Sequence, residues 1–306
     1  NESMRKLVLS LLIFIITNSF TTLCFANKNK IIVKIDDEIV TSYELKNKIK
    51  TLLVLANQNL SQENIDEVKQ QALIQLINSK LKLKEVTKYS IEANENSIRD
   101  QLLNISSNNL PALKNSFLEN NVNYDLFKDE IKIEMSWQKL IYFLYNKKIN
   151  DEELKSQIES FENSNFSRED FRIAEIEILI ENQSEIKKKI ELIKGQIKKN
   201  GFDNTAIKFS ISSSSASKGD LGWLDSQLIS KKIYNIIKNL KIGEVSDPII
   251  GPQNIVFLKL LDRKISKLDK SKNNEYRERL LTQKKNELYN LYSTSHLSKL
   301  RNNSLI

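Results

Sequence analysis

Cysteine and histidine are almost absent from the chain: its 306 residues hold one of each, Cys24 and His296. No disulfide can close within it and no Cys/His zinc cluster can be assembled. A Ser-His-Asp triad would have only His296 to draw on. Proline (3) and glycine (6) are also scarce, so helix breakers are few and most of the chain is expected to be helical. Hydrophobic residues make up 40% and charged residues 28%, the balance of a globular chain rather than a disordered or multi-span membrane one. The 47 Lys+Arg against 39 Asp+Glu give a net charge of +8, spread along the chain. That surplus favours acidic surfaces weakly and does not point to nucleic acid. The length allows two or three domains, each with its own core.

The N-terminal residues read as a targeting segment. Met4-Arg5-Lys6 is followed by the apolar run Leu7 to Ile16, broken only by Ser10, and then by Cys24-Phe25-Ala26. That is the layout of a secretory signal peptide over 1–26, cleaved after Ala26. The three residues before Met4 read as lying upstream of the true start. A spanning helix needs about 20 apolar residues, more than this run supplies, so cleavage is preferred to an uncleaved anchor. Leu23 before Cys24 does not fit a lipoprotein signal. Cleavage removes the only cysteine, which suits an oxidising compartment outside the inner membrane, here the periplasm.

Glycine placement divides the rest of the chain. All six glycines fall between Gly195 and Gly251. Tight turns and mixed α/β structure are therefore expected around 170–264, with helix-rich flanks. In the first flank, Ile31 to Ile35, an Asp36-Asp37 turn and Glu38 to Val40 read as a hairpin. Thr41 and Glu44 form a capping box for a helix to about Ala56. Ser61, Asn94, Pro111 and Asn123 mark four further helix starts, and Asp151-Glu152-Glu153 opens a sixth helix. A linker is expected over 163–170. A strand over Phe171 to Ile180 comes after it, then a Lys-rich helix over Ser184 to Asn200, which reads as a solvated face with Ile186, Ile190, Ile193 and Ile197 inward. A serine-rich loop over Ser210 to Lys218, a helix over Leu228 to Leu240 and a strand over Asn254 to Leu261 complete this region. Beyond Ser266 the chain is charged and helical. Its apolar positions Leu281, Leu288 and Leu291 are expected to pack on the N-terminal domain. His296 is expected to be a surface residue without a role.

The informative motif is Gly219-Asp220-Leu221-Gly222-Trp223, then a helix, then Gly243-Glu244-Val245-Ser246-Asp247-Pro248. It is no phosphate loop, since no Lys-Ser/Thr pair comes after it. With its flanking strands it resembles the parvulin-type peptidyl-prolyl isomerase domain over about 170–264. Together with the signal peptide, the Ile-Val-Lys-Ile hairpin and the C-terminal helix, the whole is similar to the SurA-like periplasmic chaperones, of which SurA itself carries two parvulin modules. The resemblance implies an α+β fold. Its parts are a helical N-terminal chaperone domain over 27–165, one parvulin-like domain over 170–264 and a C-terminal helix over 265–306 that completes the first domain.

Active parvulins resemble one another in a polar cluster: a His on the first strand, an Asp or Cys before the Gly-Asp-Leu-Gly motif, and a His on the last strand. By resemblance those positions fall here on Glu177, Ser212 and Val256. Val256 cannot hydrogen-bond, and Glu177 brings charge where a neutral ring is expected. Glu177 reads more simply as a solvated strand residue. The peptide-binding wall carries over to Ile229 and Ile233, with Leu228 and Trp223 beside them. The same two isoleucines would serve as plain core.

Two functions of different classes are open. One is a periplasmic chaperone that holds unfolded polypeptides, mainly outer-membrane β-barrel precursors, whose segments alternate apolar and aromatic residues. The other is an active parvulin-type isomerase with an atypical site, lowering the barrier of about 18–20 kcal/mol to twisting an Xaa-Pro amide. Loss of the polar cluster favours the first. Neither reading calls for a cofactor, a metal, nucleic acid or stable membrane insertion after signal cleavage.

Overall fold

The computed structural model describes residues 29–162, 167–180, 182–226, 229–267 and 273–306. The signal-peptide reading over 1–26 therefore lies outside the described residues. Residues 31–306 pack as one body of α+β type.

A hairpin opens it, β1 (Ile31–Ile35) and β2 (Glu38–Thr41), paired antiparallel. Asp36 sits in its turn at φ 51°, a left-handed conformation that Asp tolerates better than most residues. Five helices come next: α1 (Ser42–Leu55), α2 (Gln62–Lys88), α3 (Glu95–Ile105), α4 (Leu110–Glu119) and α5 (Tyr124–Tyr145). Each starts where a side chain accepts from the first-turn amides. Thr41 and Glu44 make the reciprocal capping box on α1, and Ser61, Asn94, Asn109 and Asn123 cap the others. Leu45, Ile49, Leu52, Val68, Ala72 and Leu76 form the core between α1 and α2. Trp137, Leu140 and Ile141 of α5 form a second layer with Val86. α6 (Asp151–Glu162) is next, with Asn150 accepting from the amides of Glu152 and Glu153.

The sheet has the order β4-β3-β6-β5 and is antiparallel throughout. Its strands are β3 (Ser167–Leu179), β4 (Asp220–Asp225), β5 (Ile249–Ile250) and β6 (Asn254–Lys267). Side chains alternate across it. Ala174, Ile176, Ile178, Ile255 and Phe257 pack on α7 (Ile186–Phe209). Phe171, Ile173, Leu258 and Leu260 face the other way, towards α8 (Lys231–Ile237). The final helix is α9 (Asn273–Asn303).

Several boundaries differ from the sequence expectations. β3 starts at Ser167, inside the expected linker, because it pairs with a β6 that continues to Lys267. α7 does not end at Asn200. Gly201, at φ +80° and ψ 162°, breaks it, and the helix resumes to bury Phe202, Ala206, Ile207 and Phe209. Ile207 enters the core of α1 and α2 while Phe209 enters that of the sheet, so this short segment joins the two. α8 is shorter than expected, and Leu228 lies outside the described residues.

α9 packs on α2, α5 and α6. Leu281 is buried and Leu288 half-buried, but Leu291 is 63% exposed, a correction to the expected apolar face. Tyr276, Leu280, Tyr289 and Tyr292 supply the contacts instead. His296 is corrected too. Far from lying on the surface, it packs edge-on against Trp137.

Candidate functional site

A cavity of about 1300 Å³ opens on the face of the sheet that α8 covers. Its sheet-side wall is mainly apolar: Ile173 from β3, Leu224 from β4, Ile249 from β5, Val256 and Leu258 from β6. Ile229, just ahead of α8, and Ile233 within it close that wall from above. The opposite wall comes from the helices, with Gln138, Ile141 and Tyr142 of α5 and Gln283, Tyr289 and Asn290 of α9. Trp223 stands at the edge, partly exposed, with the Lys264 ammonium 4.1 Å from its ring centroid.

The residues carried over by resemblance are only partly brought together. Ile229 and Ile233 both line the cavity and pack on the sheet core. Trp223 lines it as well. Glu177 and Val256 are directly opposite on β3 and β6. Val256 faces the cavity. The Glu177 carboxylate accepts from Asn254 Nδ2 at 2.7 Å, which holds it against the facing strand. The Ser212 hydroxyl bonds to neither of them.

Ser212 instead meets a residue that sequence reasoning passed over. Its hydroxyl donates to Oε1 of Glu175 at 2.6 Å, and Ser214 Oγ approaches the same oxygen at 3.5 Å. The two serine hydroxyls lie 2.9 Å apart. Glu175 lines the cavity, one alternation along β3 from Glu177. Burial pushes its carboxyl up to about 7; the neighbouring Glu177 charge acts in the same direction, while the serine hydroxyls pull against it. Glu175, Ser212 and Ser214 thus form a polar group of their own beside the positions carried over by resemblance.

The glycine motif holds this arrangement. Gly219, at φ +80°, packs so close to β3 that a Cβ there would lie 2.3 Å from the Glu175 carbonyl oxygen. Its own carbonyl accepts from the Glu175 amide at 2.9 Å. Only glycine allows both the conformation and the approach. Among the described residues, no group of three or more His, Cys, Asp or Glu is placed to hold a metal, and no helix is long and apolar enough to cross a membrane.

The PPIC-type PPIase domain model matches residues 175–262, and the SurA-like N-terminal domain model matches residues 1–141. Among curated proteins, Chaperone SurA of Methylococcus capsulatus is 26% identical over 262 residues, covering 79% of this chain and 57% of its own length. Chaperone SurA of Nitrosococcus oceani is 23% identical over 275 residues, covering 84% of this chain and 63% of its own. The chain thus spans about three fifths of the length of these relatives. A solved structure described as one of two SurA-like chaperones of Campylobacter jejuni is 17% identical, with a TM-score of 0.34 over 90% of this chain and 98% of that one.

Proposed function

We propose that this chain, which joins a SurA-like N-terminal domain to a single PPIC-type PPIase domain, is a periplasmic chaperone that holds unfolded polypeptides. Outer-membrane β-barrel precursors are the clients proposed. The same reading assigns 27–165 and 265–306 to the chaperone domain and 170–264 to the isomerase module.

The observation that carries it is the cavity with two unlike walls. One wall is mainly aliphatic side chains, from Ile173 to Ile233, with Glu175 among them; the other mixes Tyr142 and Tyr289 with amide and charged side chains. An extended segment with alternating apolar and polar residues could place one set of side chains on each wall. Burying a Val, Leu, Ile or Phe fully is worth about 1.5–3 kcal/mol, so two or three such contacts give weak, reversible holding. The test is light scattering of an unfolded outer-membrane protein diluted out of urea, with and without the purified chain. Suppression near one-to-one stoichiometry is expected, weakened by Ile233→Asp together with Tyr142→Asp. Aggregation unaffected by the wild-type chain would defeat the reading.

A second reading, catalysis of Xaa-Pro isomerisation, is favoured by one observation: a carboxyl on the cavity wall, Glu175, that is hydrogen-bonded by two serine hydroxyls.

A further inference from the structure

Three features of the isomerase wall converge on Glu175. It lines the cavity among Ile173, Val256 and Leu258, near Ile229 and Ile233. One carboxyl oxygen, Oε1, is occupied by the hydroxyls of Ser212 and Ser214. The other, Oε2, has no hydrogen-bond partner among the described residues. With Oε1 already taken by these two donors, the proton of the neutral acid would sit on Oε2.

The charged groups around it do not offer a counter-ion. Glu177 on the same strand is itself acidic. Asp220 of β4 is paired with Arg172. Lys259 of β6 turns to Asp203 of α7 on the far face of the sheet. Lys218 of the serine loop is exposed. Across the cavity, Lys285 is paired with Asp151, Glu134 with Lys82, and Arg279 with Asp170 and Asp225; Lys147 and Glu287 stand at its rim.

Twisting an Xaa-Pro amide breaks its resonance. The carbonyl oxygen loses partial negative charge and the nitrogen recovers its lone pair. A donor on the oxygen holds the planar state, whereas a donor on the nitrogen favours the twisted one, and only the latter accelerates. We propose that neutral Glu175 is the catalytic residue of this pocket, donating Oε2–H to the imide nitrogen of an Xaa-Pro bond whose ring lies against Ile229 and Ile233. This rests on the isomerase reading of the site. No covalent bond is made or broken, and the proton stays on Glu175. With the carboxyl near 7, the donor is present below that pH and lost as pH rises through it.

The test is cis/trans exchange of a short Xaa-Pro peptide, tracked by NMR with the purified full chain at about pH 6 and about pH 8. The catalysed rate is expected to fall about tenfold between them, in step with the neutral fraction of one acid. Glu175→Gln keeps an N–H donor at both values, so it stays active and loses the pH dependence. Glu175→Ala lowers the rate at the lower pH by about 10²-fold, the loss typical of one missing donor. Melting curves establish that both variants fold. A rate that rises with pH, a Glu175→Ala variant as active as the wild type, or no catalysed exchange at about pH 6 overturns the proposal. Aggregation suppression on the same samples separates the two readings: holding without exchange leaves the chaperone standing and removes Glu175.

Discussion

The Tyr145 hydroxyl and Nδ1 of His296 lie 2.8 Å apart, joining α5 to α9 across 151 residues of sequence. The other ring nitrogen of His296 is 3.3 Å from Glu85 of α2. One turn away, Ser293 accepts the Trp137 indole N–H at 2.8 Å, and Tyr292 stacks on Tyr145 with the rings 7° from parallel. Positions 289, 292, 293, 296 and 300 recur every three or four residues and so share one face of α9. That face closes the helical layer, with polar contacts embedded among Leu297, Leu300 and the tyrosines.

Replacing His296 by Ala should therefore destabilise the helical part. Tyr145 and Glu85, whose side chain is 8% exposed, would each lose a partner. Among the described residues, Glu85 keeps the Lys88 ammonium, at 3.5 Å. The cost expected is about 1–3 kcal/mol, read as a lower urea midpoint with an unchanged slope. His296→Gln should recover part of it. A midpoint that does not move in the Ala variant would show that the contact contributes nothing.

The other end of α9 grips the sheet. Tyr276 donates to Asp225 at 2.9 Å, and Arg279 reaches both Asp170 and Asp225, two carboxylates almost fully buried. Arg279→Met would leave these charges with less compensation. Breaking a buried pair costs about 3–5 kcal/mol. Arg279 is itself partly exposed and Lys264 remains 3.8 Å from Asp170, so the lower end of that range is expected. Chemical denaturation of Arg279→Met beside Arg279→Lys checks it; equal stability of the two would sink the idea.

Local signals were the legible part of this fold. Thr41 with Glu44, Ser61, Asn94 and Asn123 cap the helices they mark, because a cap needs only three or four neighbouring residues. The glycine motif led to the cavity wall, since the turn it makes fixes where Trp223 stands. Features that depend on partners distant in sequence were not legible. The polar ends of β3 and β6 are strand only because Ser167 to Asp170 lie against Lys264 to Lys267. Glu175 sits between the core residues Ala174 and Ile176 as a solvated strand residue would, until the serine loop folds over it. His296 was a single polar letter in a charged helix, and its partners Glu85 and Tyr145 lie in other helices.

Gly219 should tolerate alanine worse than Gly222. Both have positive φ, +80° and +74°, but a Cβ on Gly222 meets nothing within 4 Å, whereas one on Gly219 runs into the Glu175 carbonyl. The left-handed conformation alone costs a non-glycine residue about 1–2 kcal/mol. Gly219→Ala adds a backbone clash that only a shift of the serine loop can relieve. Its melting temperature should fall further than that of Gly222→Ala, and amide exchange at Glu175 should speed up in the first variant alone. Equal effects at the two glycines would mean that the loop is not held by this contact.

Lys208 gives a prediction with a sign in pH. Its side chain is fully buried where α7 meets α1 and α2. The ammonium nitrogen is 3.0 Å from Gln58 Oε1, 3.3 Å from Gln196 Oε1 and 3.4 Å from Glu67. Burial lowers its proton affinity below the ordinary lysine value of 10.5, and Glu67 offsets only part of that. The folded chain therefore holds this proton less tightly than the unfolded chain does. Between the folded value and 10.5 the unfolded state carries more protons, so this group makes stability rise with pH there. Below the folded value the buried charge is a cost in full. Lys208→Met removes that slope, while the hydrogen bonds it forfeits to Gln58 and Gln196 change little with pH. Relative to the wild type, the variant should stand best at about pH 7 and lose ground steadily towards about pH 10. Urea titrations of both proteins across that window measure the difference, and an advantage for Lys208→Met that grows with pH would show that the lysine is stabilised as a cation.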